Sequence, residues 1–221
     1  MVFLIQATPD LDLVGSFKDC NLLEKQIPQL KPDVVLMDID LPGRNGIEAV
    51  KIVKELNPLI QVLMLTVFED EAKIFNAIRN GASGYLLKNT APSEIIEAIF
   101  DIFKGGSPMT ASVARKVLLF FQQQKTITKA DYKLSIRELD ILKSLVKGNS
   151  YKLIADELFI SIDTVRTHIR HIYEKLQVNS KTKNRSCLKG NQRRIDLIIF
   201  DLLYDNLCWN LFSTSLFTGI Q

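Results

Sequence analysis

Cysteine is scarce. The three residues, Cys20, Cys187 and Cys208, are scattered and odd in number. They form no disulfide framework and no metal-ligand spacing, so a reducing cytoplasm is the expected compartment. Histidine is scarcer: His168 and His171 are the two in the chain, and neither takes part in a metal-ligand spacing. Each is open to reading as a phosphate contact or as solvated surface. A secretory leader is not recognisable either, because MVFLIQATPD has no basic n-region and only a short apolar run. Long apolar stretches are broken by charge. The run from Ile195 to Phe217 is interrupted by Asp196, Asp201 and Asp205. Three carboxylates would be costly in a bilayer, so no membrane span is expected. An amphipathic helix on the protein or on a membrane surface remains open for that run.

Net charge is small, +3 over 221 residues, but its distribution is uneven. Residues 1–107 carry 10 Lys+Arg against 15 Asp+Glu. Residues 133–183 carry 10 against 6. An acidic first part and a basic later part suggest two domains, the second facing a polyanion.

The basic part contains SYKLIADELFISIDTVRTHIRHIYEKL. Ile162, Val165, Ile169, Ile172, Tyr173 and Leu176 recur at helical spacing and share a buried face. Arg166, Thr167 and Arg170 then point outward. Ser161 sits where an N-cap belongs, and Asp163 lies in the first turn, where the helix dipole favours an anion. Ile154, Ala155 and Leu158 form the stripe of a shorter helix that Ser150 can cap. Upstream, Ser135 and Glu138 make an S-x-x-E capping box, Ile141, Leu142 and Leu145 follow at core spacing, and Gly148 ends that helix. A basic helix behind a short helix and a tight turn is the arrangement that enters a DNA major groove.

The first 107 residues alternate apolar strands with amphipathic helices. Strands are expected at 11–17, 34–37, 59–66 and 84–88, and helices at 20–30, 47–56, 70–81 and 93–106. Such alternation implies a doubly wound parallel sheet, with ligands at the carboxyl ends of its strands. Asp38, Thr66 and Lys88 stand at those ends. A carboxylate, a hydroxyl and an ammonium there suit phosphoryl transfer: Asp38 as nucleophile, Thr66 and Lys88 on the phosphoryl oxygens. Residues 107–125 read as a helix following this domain, and 126–133 as a polar linker.

Both halves resemble one family. The block LSIRELDILKSLVKGNSYKLIADELFISIDTVRTHIRHIYEKLQVNSKTK is similar along its length to the DNA-binding domain of LuxR-type (NarL-like) two-component response regulators. VVLMDIDLPGRNGIEAV, VLMLTVFED and GASGYLLKNTAPSEIIEAI resemble the receiver domain of the same regulators. The resemblance implies that Asp38 is the phosphoacceptor and that Thr66 and Tyr85 respond to phosphorylation. It implies Mg2+ held by Asp38 and the backbone carbonyl of Asp40. It implies base contacts from Arg166, Thr167 and Arg170, and phosphate contacts from Lys152, Thr164, Lys175, Ser180 and Lys183. Double-stranded DNA, a sensor histidine kinase and a second copy of the chain are the implied partners.

Two departures from the family stand out. MVFLIQATPDLDLVGSF matches only the end of the first receiver helix and the second strand. The first strand and its acidic pair have no match upstream of Asp10. In the family order 2-1-3-4-5 the missing strand is central, and its loss would bare two strand edges. Either MVFLI substitutes, or the second strand moves across, or the domain is unstable alone. With the acidic pair missing, the magnesium site is expected to be incomplete and phosphorylation crippled. After Lys183 the family's last helix is missing too, and the tail reads as frameshifted translation rather than as a functional module.

The expected architecture is therefore α/β: a truncated flavodoxin-like receiver at 1–107, a linker helix and linker at 108–132, a helix-turn-helix domain at 133–183, and an atypical tail at 184–221. The expected function is transcriptional regulation by a two-component phosphorelay in the cytoplasm, without enzyme activity. One alternative is a degraded or phosphorylation-independent regulator acting only as an interaction protein. Another is a haloacid-dehalogenase-like phosphatase, suggested by Asp38 and Asp40 with Thr66 and Lys88 but lacking the later acidic pair that such enzymes need. The DNA reading demands that the Arg166 and Arg170 guanidinium groups face outward.

Overall fold

The computed structural model describes residues 1–123, 134–176 and 194–201. Five strands form one parallel sheet: β1 (Leu11–Phe17), β2 (Val34–Met37), β3 (Gln61–Thr66), β4 (Gly84–Leu87) and β5 (Ile195–Phe200), in the order β1-β5-β2-β3-β4. The central place is filled from the far end of the chain. β5 pairs Leu11 with Ile195 through Phe17 with Phe200 on one side, and Val34 with Leu197 through Met37 with Phe200 on the other.

Neither replacement strand that the sequence suggested fills the empty position. MVFLI does not form a strand: Val2–Gln6 is a short helix, α1, and its Ile5 is buried under the sheet. β1 does not move across to β2. Instead IDLIIF enters between them, with five of its six side chains buried and Asp196 half-buried. The apolar run read as tail is thus a central parallel strand, a position that favours β-branched and aliphatic residues on both faces. Burying those five apolar side chains is worth on the order of 10 kcal/mol, comparable to the whole stability of an ordinary domain.

Alternation along the strands feeds two cores. Val35, Met37, Val62, Met64, Tyr85, Ile198 and Phe200 face helices α2 (Leu23–Leu30), α3 (Gly46–Leu56) and α4 (Glu71–Arg79). Val34, Leu36, Leu63, Leu86, Leu197 and Ile199 face α1 and α5 (Pro92–Phe103). The rings of Phe17 and Phe200 stack at 5.3 Å between centroids, locking β5 to β1. A register shift between Leu13 and Gly15 lies beside that stack, and a Cβ at Gly15 would come within 2.7 Å of the Phe17 ring.

Helix α6 (Ala111–Gln123) leads away from the sheet, and α7 (Ile136–Val146), α8 (Tyr151–Leu158) and α9 (Ile162–Leu176) form the helical unit. Its caps are those the sequence implied. Ser135 Oγ accepts from Glu138 N–H at 3.2 Å while Ser135 N–H donates back to Glu138 Oε2 at 2.6 Å. Ser150 caps α8, and Ser161 Oγ accepts from Thr164 N–H at 3.0 Å at the start of α9. Gly148 takes a φ of +84° just after α7. The α8–α9 turn places Phe159 at a φ of +55° with its ring 95% exposed, a backbone region that costs a side-chain-bearing residue roughly 1–2 kcal/mol. Ile141, Leu142, Leu145, Ile154, Val165, Ile169, Ile172 and Leu176 close the core of this unit. Among the described residues no helix is long and apolar enough to cross a membrane.

Candidate functional site: a carboxylate cluster and a covered basic helix

Asp38 follows β2 directly and is 2% exposed. Its Oδ1 accepts the backbone N–H of Ile39 at 2.7 Å, and its Oδ2 accepts Lys88 Nζ at 2.8 Å. Lys88 follows β4, and its ammonium also donates to Asp201 Oδ1 at 2.6 Å. Burial alone would lower the Lys88 pKa, but the hydrogen bonds it donates to the two carboxylates hold it above its ordinary value. The site has no room for a side chain at Gly46, where a Cβ would collide with the Asp38 carbonyl oxygen.

Asp201 is a residue that the sequence reading placed in the tail and gave no role. It closes β5, where its N–H donates to Phe17 O at 3.1 Å. Beside it, Asp38 N–H donates to Phe200 O at 2.9 Å, so adjacent strand ends bring the two carboxylates together. A signal existed: an apolar run ending in an acid, IDLIIFD, has the same form as PDVVLMD before Asp38. The expected acidic pair is missing upstream of Asp10, but a carboxylate from the other end of the chain, Asp201, stands beside Asp38. Asp40 itself is exposed.

Thr66 is fully buried at the end of β3, and its Oγ1 accepts from Phe68 N–H at 3.4 Å. Tyr85 is also buried, and its hydroxyl donates to Phe68 O at 2.8 Å, so both residues meet the β3–α4 loop. Burial, then the carboxylates of Asp70, Asp38 and Glu69, push the Tyr85 phenol well above its ordinary range. Among the described residues, two buried carboxylates meet one ammonium here. Hard carboxylate oxygens are the donors that Mg2+ takes, so the residues present fit the ion that a receiver domain implies.

The other candidate residues lie on or near α9, and they do not face outward as expected. Arg166 Nε donates to Asp101 Oδ1 on α5, and Arg166 Nη1 donates to Asp163 Oδ1 at 2.8 Å. The Asp101 carboxyl is 7% exposed and the Arg166 side chain 26%. Burial raises the Asp101 pKa above its ordinary value, although the Arg166 guanidinium opposes that rise. Arg170 reaches toward Gly105, whose Cβ would lie 3.7 Å from Arg170 Nη1, and pairs loosely with Glu174 at 3.8 Å. Tyr173, from the buried face of α9, donates its hydroxyl to Pro108 O at 3.3 Å. The basic helix is docked on the α5–α6 side of the receiver because Asp101 offers it a carboxylate and Pro108 a carbonyl.

Thr167 Oγ1 bonds back to Asp163 O at 2.8 Å, and Thr164 Oγ1 shares a hydrogen bond with Ser161 Oγ at 2.8 Å. Lys175, expected on a phosphate, donates to the buried Glu138 at 2.6 Å. Lys152 is exposed. Ser180 and Lys183 lie outside the described residues, as do Cys187, Cys208, Asp205 and the linker at 126–133. His168 and His171 stand with Glu138, their ligand-type atoms within 4.8 Å of one another. That grouping across two helices was invisible to linear spacing, and the Lys175 ammonium already lies on its carboxylate.

A doubly wound sheet with a carboxylate–ammonium site, joined to a three-helix unit with a basic second hairpin helix, defines a class: a receiver coupled to a helix-turn-helix. Residues 2–100 match the response regulator receiver domain, and residues 132–184 match the bacterial regulatory proteins of the luxR family. The transcriptional regulatory protein LnrK of Bacillus subtilis is 34% identical over 188 residues, covering 81% of this chain and 86% of LnrK. The transcriptional regulatory protein LiaR of the same organism is 38% identical, covering 81% and 85%. Among solved structures, RcsB from Salmonella enterica serovar Typhimurium, bound to promoter P1flhDC with phosphomimetic BeF3-, is similar at a TM-score of 0.50. It is 25% identical and the match covers 80% of this chain and 86% of that one. The chain belongs to the two-component response regulators with a LuxR-type DNA-binding domain. The segment that supplies β5 lies outside both family matches.

Proposed function

We propose that the chain is a phosphorylation-gated transcription regulator, described here in a closed state in which the receiver holds the DNA-reading arginines. The observation that carries this reading is the bond from Arg166 to the buried Asp101 of the receiver. A guanidinium engaged there has no bidentate edge to offer to guanine. DNA binding therefore requires α9 to leave α5, and anything that weakens that docking raises affinity.

Asp38 is the phosphoacceptor. Its carboxylate oxygen attacks the phosphorus of a phosphohistidine on the kinase, the P–N bond breaks, the imidazole leaves with the electron pair and takes a proton, and an acyl phosphate forms. Thr66 and Lys88 bind the phosphoryl oxygens as charge builds on them. Mg2+ bound by Asp38 and the Asp40 carbonyl would offset negative charge between the phosphoryl group and the carboxylate. Phosphorylating Asp38 also removes one of the two acceptors that Lys88 holds. The ammonium must then find the phosphoryl group, and Thr66 and Tyr85 follow through the Phe68 loop they share.

Once released, Arg166, Thr167 and Arg170 read base edges, and Lys152, Thr164, Lys175, Ser180 and Lys183 hold phosphates. The active form binds paired half-sites as a dimer, in the cytoplasm where the DNA is. The interaction-protein reading draws on the same covered arginines, and DNA selection separates the two. The test is selection of duplexes from a random pool with the full chain treated with beryllofluoride. Enrichment of one motif, lost in Arg166→Ala plus Arg170→Ala while the fold persists, is expected. A pool without enrichment, or a motif unchanged in the double variant, overturns the reading.

A further inference from the structure

The chain has two histidines, His168 and His171, and the fold brings both to one buried acid. They stand three positions apart on α9, so they share a face of that helix, and both are half-buried. Glu138, in the first turn of α7, completes the group: one ligand-type atom from each of the three residues lies within 4.8 Å of the others. The imidazole rings meet edge to face at 6.3 Å between centroids. Neither imidazole makes a hydrogen bond among the described residues. Glu138 is anchored from its other side. Its Oε2 accepts from Ser135 N–H and from Lys175 Nζ, each at 2.6 Å, and its side chain is 4% exposed. Both bonds fall on Oε2, which leaves Oε1 to a metal.

Two imidazoles and one carboxylate are the donor set of a three-ligand zinc site, with a fourth position for water. Imidazole nitrogen suits Zn2+ and its transition-metal neighbours, whereas Mg2+ takes oxygen. Zinc at about 2.0–2.1 Å from each ligand sets the ligand atoms about 3.3 Å apart. The three residues therefore have at most about 1.5 Å to close, which rotation about the imidazole torsions can supply. A carboxylate already held by hydrogen bonds is oriented as metal-ligating carboxylates are. We propose that His168, His171 and Glu138 form a Zn2+ site that clamps α9, the helix of Arg166, Thr167 and Arg170, to α7. Lys175 keeps the other carboxylate oxygen, so the metal is a second cation on one carboxylate. With three protein ligands and that neighbour, the site is exchangeable and fills according to the Zn2+ available. An ion bound by the folded unit alone stabilises it by mass action. The site uses neither the phosphoacceptor nor the base-reading arginines, so it stands whether or not the chain selects DNA.

The experiment uses the untagged full chain at neutral pH with Zn2+, and with Co2+ as its coloured substitute, in excess Mg2+ so that all-oxygen sites are taken. Because the chain has two histidines, nitrogen-15 resonances of the imidazole rings report on the site without any substitution. Zn2+ is expected to shift a ring nitrogen of both histidines and to raise the melting transition of the helical unit. Co2+ is expected to give the visible band of a four-coordinate ion without the near-ultraviolet charge transfer of a thiolate. His168→Ala plus His171→Ala should lose the band and the melting shift. Glu138→Gln should weaken Co2+ binding by at least about tenfold, since even groups outside the ligand shell account for that much. Ring nitrogens that ignore Zn2+, or a response from one histidine alone, overturn the proposal in the wild type, whether or not the variants fold. A thiolate band would place the metal on cysteine, and unchanged affinity in Glu138→Gln would remove α7 from the site; each overturns it as well.

Discussion

Tyr85 and Tyr173 meet at one oxygen. The backbone N–H of Tyr85 donates to the carbonyl of Pro108 at 2.9 Å, and the hydroxyl of Tyr173 donates to the same carbonyl at 3.3 Å. Tyr85 lies on β4 of the receiver, and Tyr173 on α9, the helix that carries Arg166 and Arg170. A displacement of β4 or of its aromatic ring is thus felt at the DNA-binding helix through a single acceptor. Both rings are essentially buried, so neither can shift without its neighbours shifting too.

The hydroxyl of Tyr173 therefore helps to hold the closed state. Tyr173→Phe keeps the packed ring and removes one hydrogen bond, worth about 1 kcal/mol. The affinity of the unphosphorylated chain for its selected duplex should rise about fivefold, the factor that such a coupling energy gives. Fluorescence anisotropy with and without acetyl phosphate reads it. An unchanged affinity would show that the bond does not distinguish closed from open.

Asp101 and Arg166 allow the latch to be separated from the reader. Asp101→Ala removes the carboxylate that holds Arg166 but leaves the arginine for DNA, so basal affinity should rise. Arg166→Ala breaks the same bond and also deletes a base contact, with discrimination falling by about 1–3 kcal/mol at one position of the site. Both variants should be more readily cleaved by protease between the two domains. If Asp101→Ala binds DNA no better than wild type, the contact is packing and not inhibition.

Much of this was legible in the sequence, for physical reasons that differ between the halves. The helical unit declares itself through period and caps: Ser135 with Glu138, Ser150 and Ser161 each bond as their spacing implied. Asp38, Thr66 and Lys88 could be singled out because strand ends in a parallel sheet converge on one edge, and Asp38 and Lys88 do bond there. Two things were hidden. Burial of α9 against the receiver depends on Asp101 and Pro108, which no local pattern marks as partners. The central strand was missed because topology is not written in order: a strand is sought next to its neighbours in the chain, and IDLIIF comes after an entire domain. Its carboxylates were read as a cost in a bilayer, but one of them, Asp201, stands on Lys88 beside Asp38.

The weight carried by that strand can be measured. Ile198 is fully buried and pairs with both Gly15 and Val35. Ile198→Ala should cost about 2–5 kcal/mol, the range for a large-to-small change in a packed core. The loss should fall on the receiver's transition in calorimetry and leave that of the helical unit in place. A variant that melts like wild type would mean the receiver holds without its fifth strand.

Glu138 gives the helical unit a defined acid response. Burial pushes its carboxyl up, but the Lys175 ammonium and the Ser135 amide outweigh that, and its pKa lies below the ordinary value of 4.5. An acid with a lowered pKa in the folded state contributes stability that is fully present above the unfolded pKa. The contribution is then lost as pH falls from about 4.5 through the lowered folded value. Glu138→Gln removes the charge, so its stability should be less steep in this window and lower than wild type at neutral pH. The two should converge on the acid side, where wild-type Glu138 is protonated. Thermal melts of the full chain between neutral pH and the acid limit, followed at the helical unit's transition, make the comparison. A constant gap between the two curves down to the acid limit would mean that Glu138 acts through shape alone and that the Lys175 ion pair contributes nothing to the fold.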